Sequence, residues 1–136
     1  MNQQRLDDLT KLTLRLTVGV LMLLHGIAKL RHGIARIILN VEHHGLPSFV
    51  GYGVFIGEVL APVAIILGLY TRPAALALAI NMLFAVWLAH MGDVGNLGRG
   101  GGWAIELQWF YFAVALAVAA LGGGRYAVRG GRSRWD

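Results

Sequence analysis

At 136 residues the chain has room for one domain, and with 57% hydrophobic and only 14% charged residues it cannot face water on all sides. The absence of cysteine excludes disulfides, thiolate metal sites and thiol redox chemistry. The formal charge is +5, but the basic residues lie mostly between and beyond apolar stretches, so anionic lipid headgroups are the expected partner and nucleic acid is not.

Four apolar stretches follow in chain order, at about 12–30, 52–69, 73–90 and 105–121. Each is near the roughly 20 residues needed to cross about 30 Å of hydrocarbon. Their Leu- and Ala-rich composition, without alternation, predicts helices rather than strands. The first stretch is too long for a signal-peptide core, carries Arg15, His25 and Lys29, and is followed by no small-residue cleavage site, so it reads as a helix of the mature chain. The expected architecture is all-α: a single membrane domain over 1–136, a four-helix transmembrane bundle running up-down-up-down, with a basic tail over 122–136.

The connections are marked by their residues. The long first one, about 31–51, holds a candidate interfacial helix at 34–41 and a turn at Gly45-Leu46-Pro47. Thr71-Arg72-Pro73 makes a tight second turn, with Thr71 expected as N-cap and Pro73 in the first helical turn. Gly98 and Gly100-Gly101-Gly102 fill the third connection, and Gly122-Gly123-Gly124 stops the fourth helix. Loop charges set the orientation. Arg5, Lys11, Arg72, Arg125, Arg129, Arg132 and Arg134 fall on one side, against Arg31, Arg36 and Arg99 on the other, with Lys29 at the boundary. That bias predicts a multi-pass inner-membrane protein with both termini in the cytoplasm.

Charges inside a bilayer are costly enough to need a partner or a purpose. His25 and Lys29 lie late in the first helix, Glu58 early in the second, His90 at the end of the third and Glu106 at the start of the fourth. In an up-down-up-down bundle these helix ends share the non-cytoplasmic half, so the five residues are expected to form one pocket. His25 and Lys29 are four apart and share a face. Gly57, Ala61, Ala64 and Gly68 form a small-residue stripe beside Glu58, and Pro62 is placed to kink the second helix there. Glu106 falls on a stripe with Phe110, Ala113, Ala117 and Ala120, which turns it inward. Asn81, nine residues from His90, is half a turn out of phase and is left outside the cluster.

Two accounts of the cluster stand open. In one, Lys29 neutralises a carboxylate, His90 caps its helix, and the polar groups only hold the bundle together. In the other, two histidines, two carboxylates and a lysine line a cavity where a small solute or a quinone headgroup exchanges protons. No metal is assigned, because no His-x-x-x-His or Glu-x-x-His pair anchors one. His43-His44 in the long loop are candidates for a gate, though adjacent loop histidines are commonly just exposed. Trp87, Trp103, Trp109, Tyr52 and Tyr126 sit near helix ends as interfacial aromatics do. No flavin, haem or nicotinamide fingerprint is present, so any electron-carrying cofactor would come from a partner redox protein. The Ala/Gly stripes leave faces free for homo-oligomer formation.

Across nearly its whole length the sequence resembles the DoxX family. The likeness rests on Leu14-Arg15-Leu16, His25-Gly26-x-x-Lys29-Leu30, Gly45-Leu46-Pro47 and Gly57-Glu58. It continues through Gly68-Leu69-Tyr70-Thr71-Arg72-Pro73-Ala74-Ala75, His90, Trp103-x-x-Glu106 and Leu121-Gly122-x-Gly124-Arg125-Tyr126. The resemblance implies a four-helix protein of the bacterial inner membrane. The family name derives from a thiosulfate:quinone oxidoreductase subunit, some members are associated with oxidative-stress or redox complexes, and for most the activity is undefined. The family's polar positions carry over as His25, Lys29, Glu58, His90 and Glu106; no substrate carries over with them.

Overall fold

A computed structural model describes residues 2–130 and 133–136. Arg132 of the predicted basic tail lies outside the described residues. The described chain is helical and holds no β-strand, only an isolated bridge between Leu97 and Trp103. Helix α1 spans Gln3–His32, α2 Ala35–His43, α3 Ala61–Leu67, α4 Thr71–Ala85 and α5 Glu106–Leu121. A 3₁₀ segment, Ser48–Gly53, and a π turn, Ile56–Leu60, lead into α3; a second π turn, Val86–His90, and a 3₁₀ turn, Met91–Asp93, follow α4.

Taken with these flanking turns, three helical stretches are long and apolar enough to cross a membrane: Gln3–His32, Ser48–Leu67 and Thr71–Asp93, with mean hydropathy 1.4, 2.0 and 1.9. Helix α5 is apolar but shorter, at 16 residues or about 24 Å. The amphipathic segment expected at 34–41 is α2. It begins after Gly33, and Gly45, with φ near 76°, completes the turn behind it. Thr71 is not the N-cap: Tyr70 holds that place with φ near 46°, and Thr71 is the first helical residue, its buried hydroxyl without a hydrogen-bond partner among the described residues. Gly122, at φ 75°, ends α5 as expected of a residue beyond a helix C-terminus.

The helices pack through small residues and medium aliphatics. Val18 and Met22 of α1, Ala61 and Ile65 of α3, Ala75, Leu78, Ala79 and Met82 of α4, and Tyr111, Ala115 and Val118 of α5 form one core. The contact of α4 with α5 is the most extensive, and α1 lies against both α3 and α5. A Cβ at Gly19 would press on the Ile66 side chain and the Pro62 carbonyl, so the glycine sets how closely α1 approaches α3. Outward faces stay apolar, with Leu24, Ile80 and Phe110 each more than half exposed. Such surface matches acyl chains rather than water.

One charge is built into the core away from the predicted pocket. Arg15, 1% exposed, donates from Nε to the Ile65 carbonyl (2.9 Å), from Nη2 to that of Ile66 (2.9 Å) and from Nη1 to that of Gly123 (2.7 Å). Those oxygens lie at the C-terminal ends of α3 and α5, where the helix dipole favours a cation. Gly68, at φ 73°, gives the guanidinium room, since a Cβ there would meet Nη2. Nearby the tail folds back: Asp136 accepts from the Tyr70 amide (3.3 Å), Arg72 reaches the main-chain oxygens of Asp136 and Ala119, and Arg129 lies over the Tyr70 ring.

Candidate functional site

The site starts from a proline. Pro62 has no N–H to bond the carbonyl of Glu58 four residues back, and its ring crowds that oxygen. The chain answers with an i→i+5 turn over Ile56–Leu60, in which the Ala61 amide reaches the Ile56 carbonyl. The freed Glu58 carbonyl points at α1, where a Cβ on Gly26 would overlap it. Thus Gly26 seats α1 directly on the widened turn and brings Lys29, three residues on, beside the Glu58 side chain.

The Glu58 carboxylate is buried, with its side chain 5% exposed. Its Oε2 accepts from Lys29 Nζ in an ion pair. Its Oε1 accepts from Asn81 Nδ2 at 3.3 Å. Gly57 makes that second contact sterically feasible, because a Cβ there would run into the Asn81 side chain. Asn81 therefore belongs to the cluster, against the expectation from helical phase. The reason is the second π turn: Val86–His90 adds a residue to the turn and shifts the phase between Asn81 and His90 by about 100°.

Two cavities meet at the ion pair. The larger, about 540 Å³, lies between α2, the first π turn and α4; Lys29, Glu58, Asn81 and His90 stand in a wall otherwise dominated by residues such as Ile37, Val54, Ile80 and Phe84. Arg36 and Asn40 reach it from α2. The smaller, about 220 Å³, lies between α1, α4 and α5 and takes in His25, Gln108 and Tyr111. Lys29, Glu58, Ala85 and His90 line both. His25 packs edge-to-face on Tyr111 with ring centroids 5.9 Å apart. His90 Nδ1 lies 3.1 Å from Asp93 Oδ2, which fixes the ring at the end of its turn. The Gln108 side-chain oxygen is buried with no hydrogen-bond partner among the described residues.

The structure thus gathers His25, Lys29, Glu58 and His90, and leaves Glu106 apart. Glu106 is exposed, and its carboxylate lies against Gly102 in the glycine-rich loop. The buried face of α5 is Tyr111, Ala115 and Val118, while Phe110 of the expected stripe is 65% exposed. An all-apolar helix offers no polar face to tell these stripes apart. His43 and His44 line neither cavity. His44 packs on Trp87 at 4.7 Å and its Nδ1 lies 2.7 Å from the Asn40 carbonyl oxygen. Trp103 and Trp109 stack on each other, 5.9 Å apart and 11° from parallel. Among the described residues no three His, Asp or Glu side chains converge as a metal site would require. Sequence reasoning left Asn81 out and did not single out Gln108 or Tyr111; Pro62, four residues after Glu58, signalled the first π turn but none of these three residues.

Long apolar helices with lipid-matching outer faces make this an integral, multi-pass membrane protein. The chain belongs to the DoxX family, whose profile matches residues 10–91. It is similar to an uncharacterized protein of Haemophilus influenzae, 32% identical over 112 residues that cover 78% of this chain and 82% of the relative. No solved structure matches it.

Proposed function

We propose that the protein is a redox-linked subunit of the inner membrane that binds a quinone or a similar small solute in the larger cavity. The polar head would sit at Lys29, Glu58 and Asn81, with His90 alongside, and the apolar body along Ile80 and Phe84. The observation that carries this reading is a buried, hydrogen-bonded carboxylate, ion-paired with a half-buried lysine, in the wall of a roomy and mostly apolar chamber. Ligand sites of this size commonly pair an apolar lining with a few convergent polar groups. The carboxylate and the imidazole can hold or release a proton at an oxygen of the ligand; electrons would come from a partner protein.

The membrane arrangement proposed with it is four spans, α5 supplying the last, with both termini in the cytoplasm. Support comes from the excess of Lys and Arg on that side. A single cysteine at Ser133 of the otherwise cysteine-free chain should resist an impermeant thiol reagent in intact cells, whereas one at Ser48 should react. Equal labelling from outside would overturn the orientation.

A scaffold or passive solute-binding role is the second reading, favoured by the Lys29–Glu58 pair, which neutralises each charge without any ligand. Glu58→Gln and His90→Ala separate the two. The redox reading expects both variants to fold, Glu58→Gln with a lowered Tm because Lys29 loses its counter-ion. Both should bind a short-chain ubiquinone about 10-fold more weakly, the loss of one hydrogen bond to a charged group. A fall in Tm, with a parent that binds no quinone, would leave the scaffold.

A further inference from the structure

The smaller cavity shares Lys29, Glu58, Ala85 and His90 with the larger one and takes its other walls from α1, α4 and α5. Its lining differs in kind. Gln108 presents a fully buried oxygen without a donor among the described residues, and an unmet acceptor of that sort calls for water or another small donor. His25 and Tyr111 add polar atoms from α1 and α5. The position suits water entry as well: His25 is seven residues before the end of α1 and Gln108 two after the start of α5, within about 10 Å of the helix ends.

We infer that the smaller cavity is a separate hydrated chamber that exchanges protons with the Lys29–Glu58 pair from the side opposite the larger cavity. The Glu58 carboxylate takes a proton from hydronium there, leaving water and a neutral acid. It then passes that proton to an anionic oxygen of a molecule in the larger cavity and pairs again with Lys29; no electron moves in this step. The charged and titratable groups around the pair are His25 from α1, His90 from the second π turn, Tyr111 from α5 and, across the larger cavity, Arg36 from α2. The chamber itself stands independently of the quinone reading; only the proton's destination rests on it.

The test uses the natural absence of cysteine. Gln108→Cys, in membranes, is treated with the water-soluble reagent 2-aminoethyl methanethiosulfonate, which reacts with thiolates. Its rate should fall within about 10-fold of Ser48→Cys in the exposed loop and exceed that of the outward-facing Leu116→Cys by about 100-fold. Met22→Cys, on the opposite wall, gives a second reading should the first variant fold poorly. Both cysteines reacting as slowly as Leu116→Cys would overturn the chamber, even in a protein that binds short-chain ubiquinone. Fast reaction in a protein that binds no quinone would overturn the proposed ligand and keep the chamber.

Discussion

Arg15 and Glu58 are buried to nearly the same degree, 1% and 4% exposed, at opposite ends of the contact between α1 and the segment from Ile56 to Leu67. Along α1, Arg15 and Lys29 are about 21 Å apart. Arg15 is met by three carbonyl oxygens, none closer than 2.7 Å or farther than 2.9 Å, and borders neither cavity. Glu58 has an ion-pair partner and one longer hydrogen bond, and it walls two cavities at once. The first charge ties helix ends together, and the two N–H donors left on its guanidinium face neither cavity. The second is held on one side and open on another, the condition under which a buried charge can act on something else. A buried charge alone therefore says little about function; its leftover capacity toward a cavity says more.

The comparison breaks most sharply at Arg15. Arg15→Met strands three carbonyls and should cost about 4 kcal/mol, since hydrogen bonds to a charged group contribute about 1.5–3 kcal/mol each but are not additive. Thermal unfolding in detergent would register it, and a loss below about 1 kcal/mol would mean that the carbonyls find other donors. Next comes Gly26→Ala, whose methyl meets backbone at the Glu58 carbonyl and has nothing soft to displace. It should cost about 2–3 kcal/mol. Gly57→Ala presses on Asn81 at its Cβ, which no rotamer can move aside, and should cost about 2 kcal/mol. A cost below about 1 kcal/mol for Gly26→Ala would mean that the α1 contact with the π turn is looser than described. The smallest effect belongs to Asn81→Leu, which removes one 3.3 Å hydrogen bond and should lower stability by about 1 kcal/mol. A full loss of fold in that variant would make the Glu58 locus as structural as the Arg15 one.

Hydropathy alone was enough to find the long helices, the amphipathic α2 and the glycine stops, because each is a local property of composition or turn chemistry. It also drew His25, Lys29, Glu58 and His90 to one level, since depth in a span follows from counting residues. What counting could not supply was azimuth. The Asn81 assignment assumed 3.6 residues per turn through a segment that contains a π turn, and one extra residue there was enough to reverse it. Glu106 failed for another reason: α5 is apolar all round, and which stripe faces inward is decided by its packing on α4. Arg15 was visible as a charge inside a span, but its acceptors come from residues 50 and more positions away.

Ile56 and Ile80 line the larger cavity, and each is more than half exposed. In the proposed membrane arrangement, an opening beside these two side chains would face acyl chains. A lipophilic guest would dissolve in the bilayer before it meets the protein, so occupancy would track its mole fraction among lipids. Affinities quoted per litre of buffer would then drift with the amount of membrane in the tube.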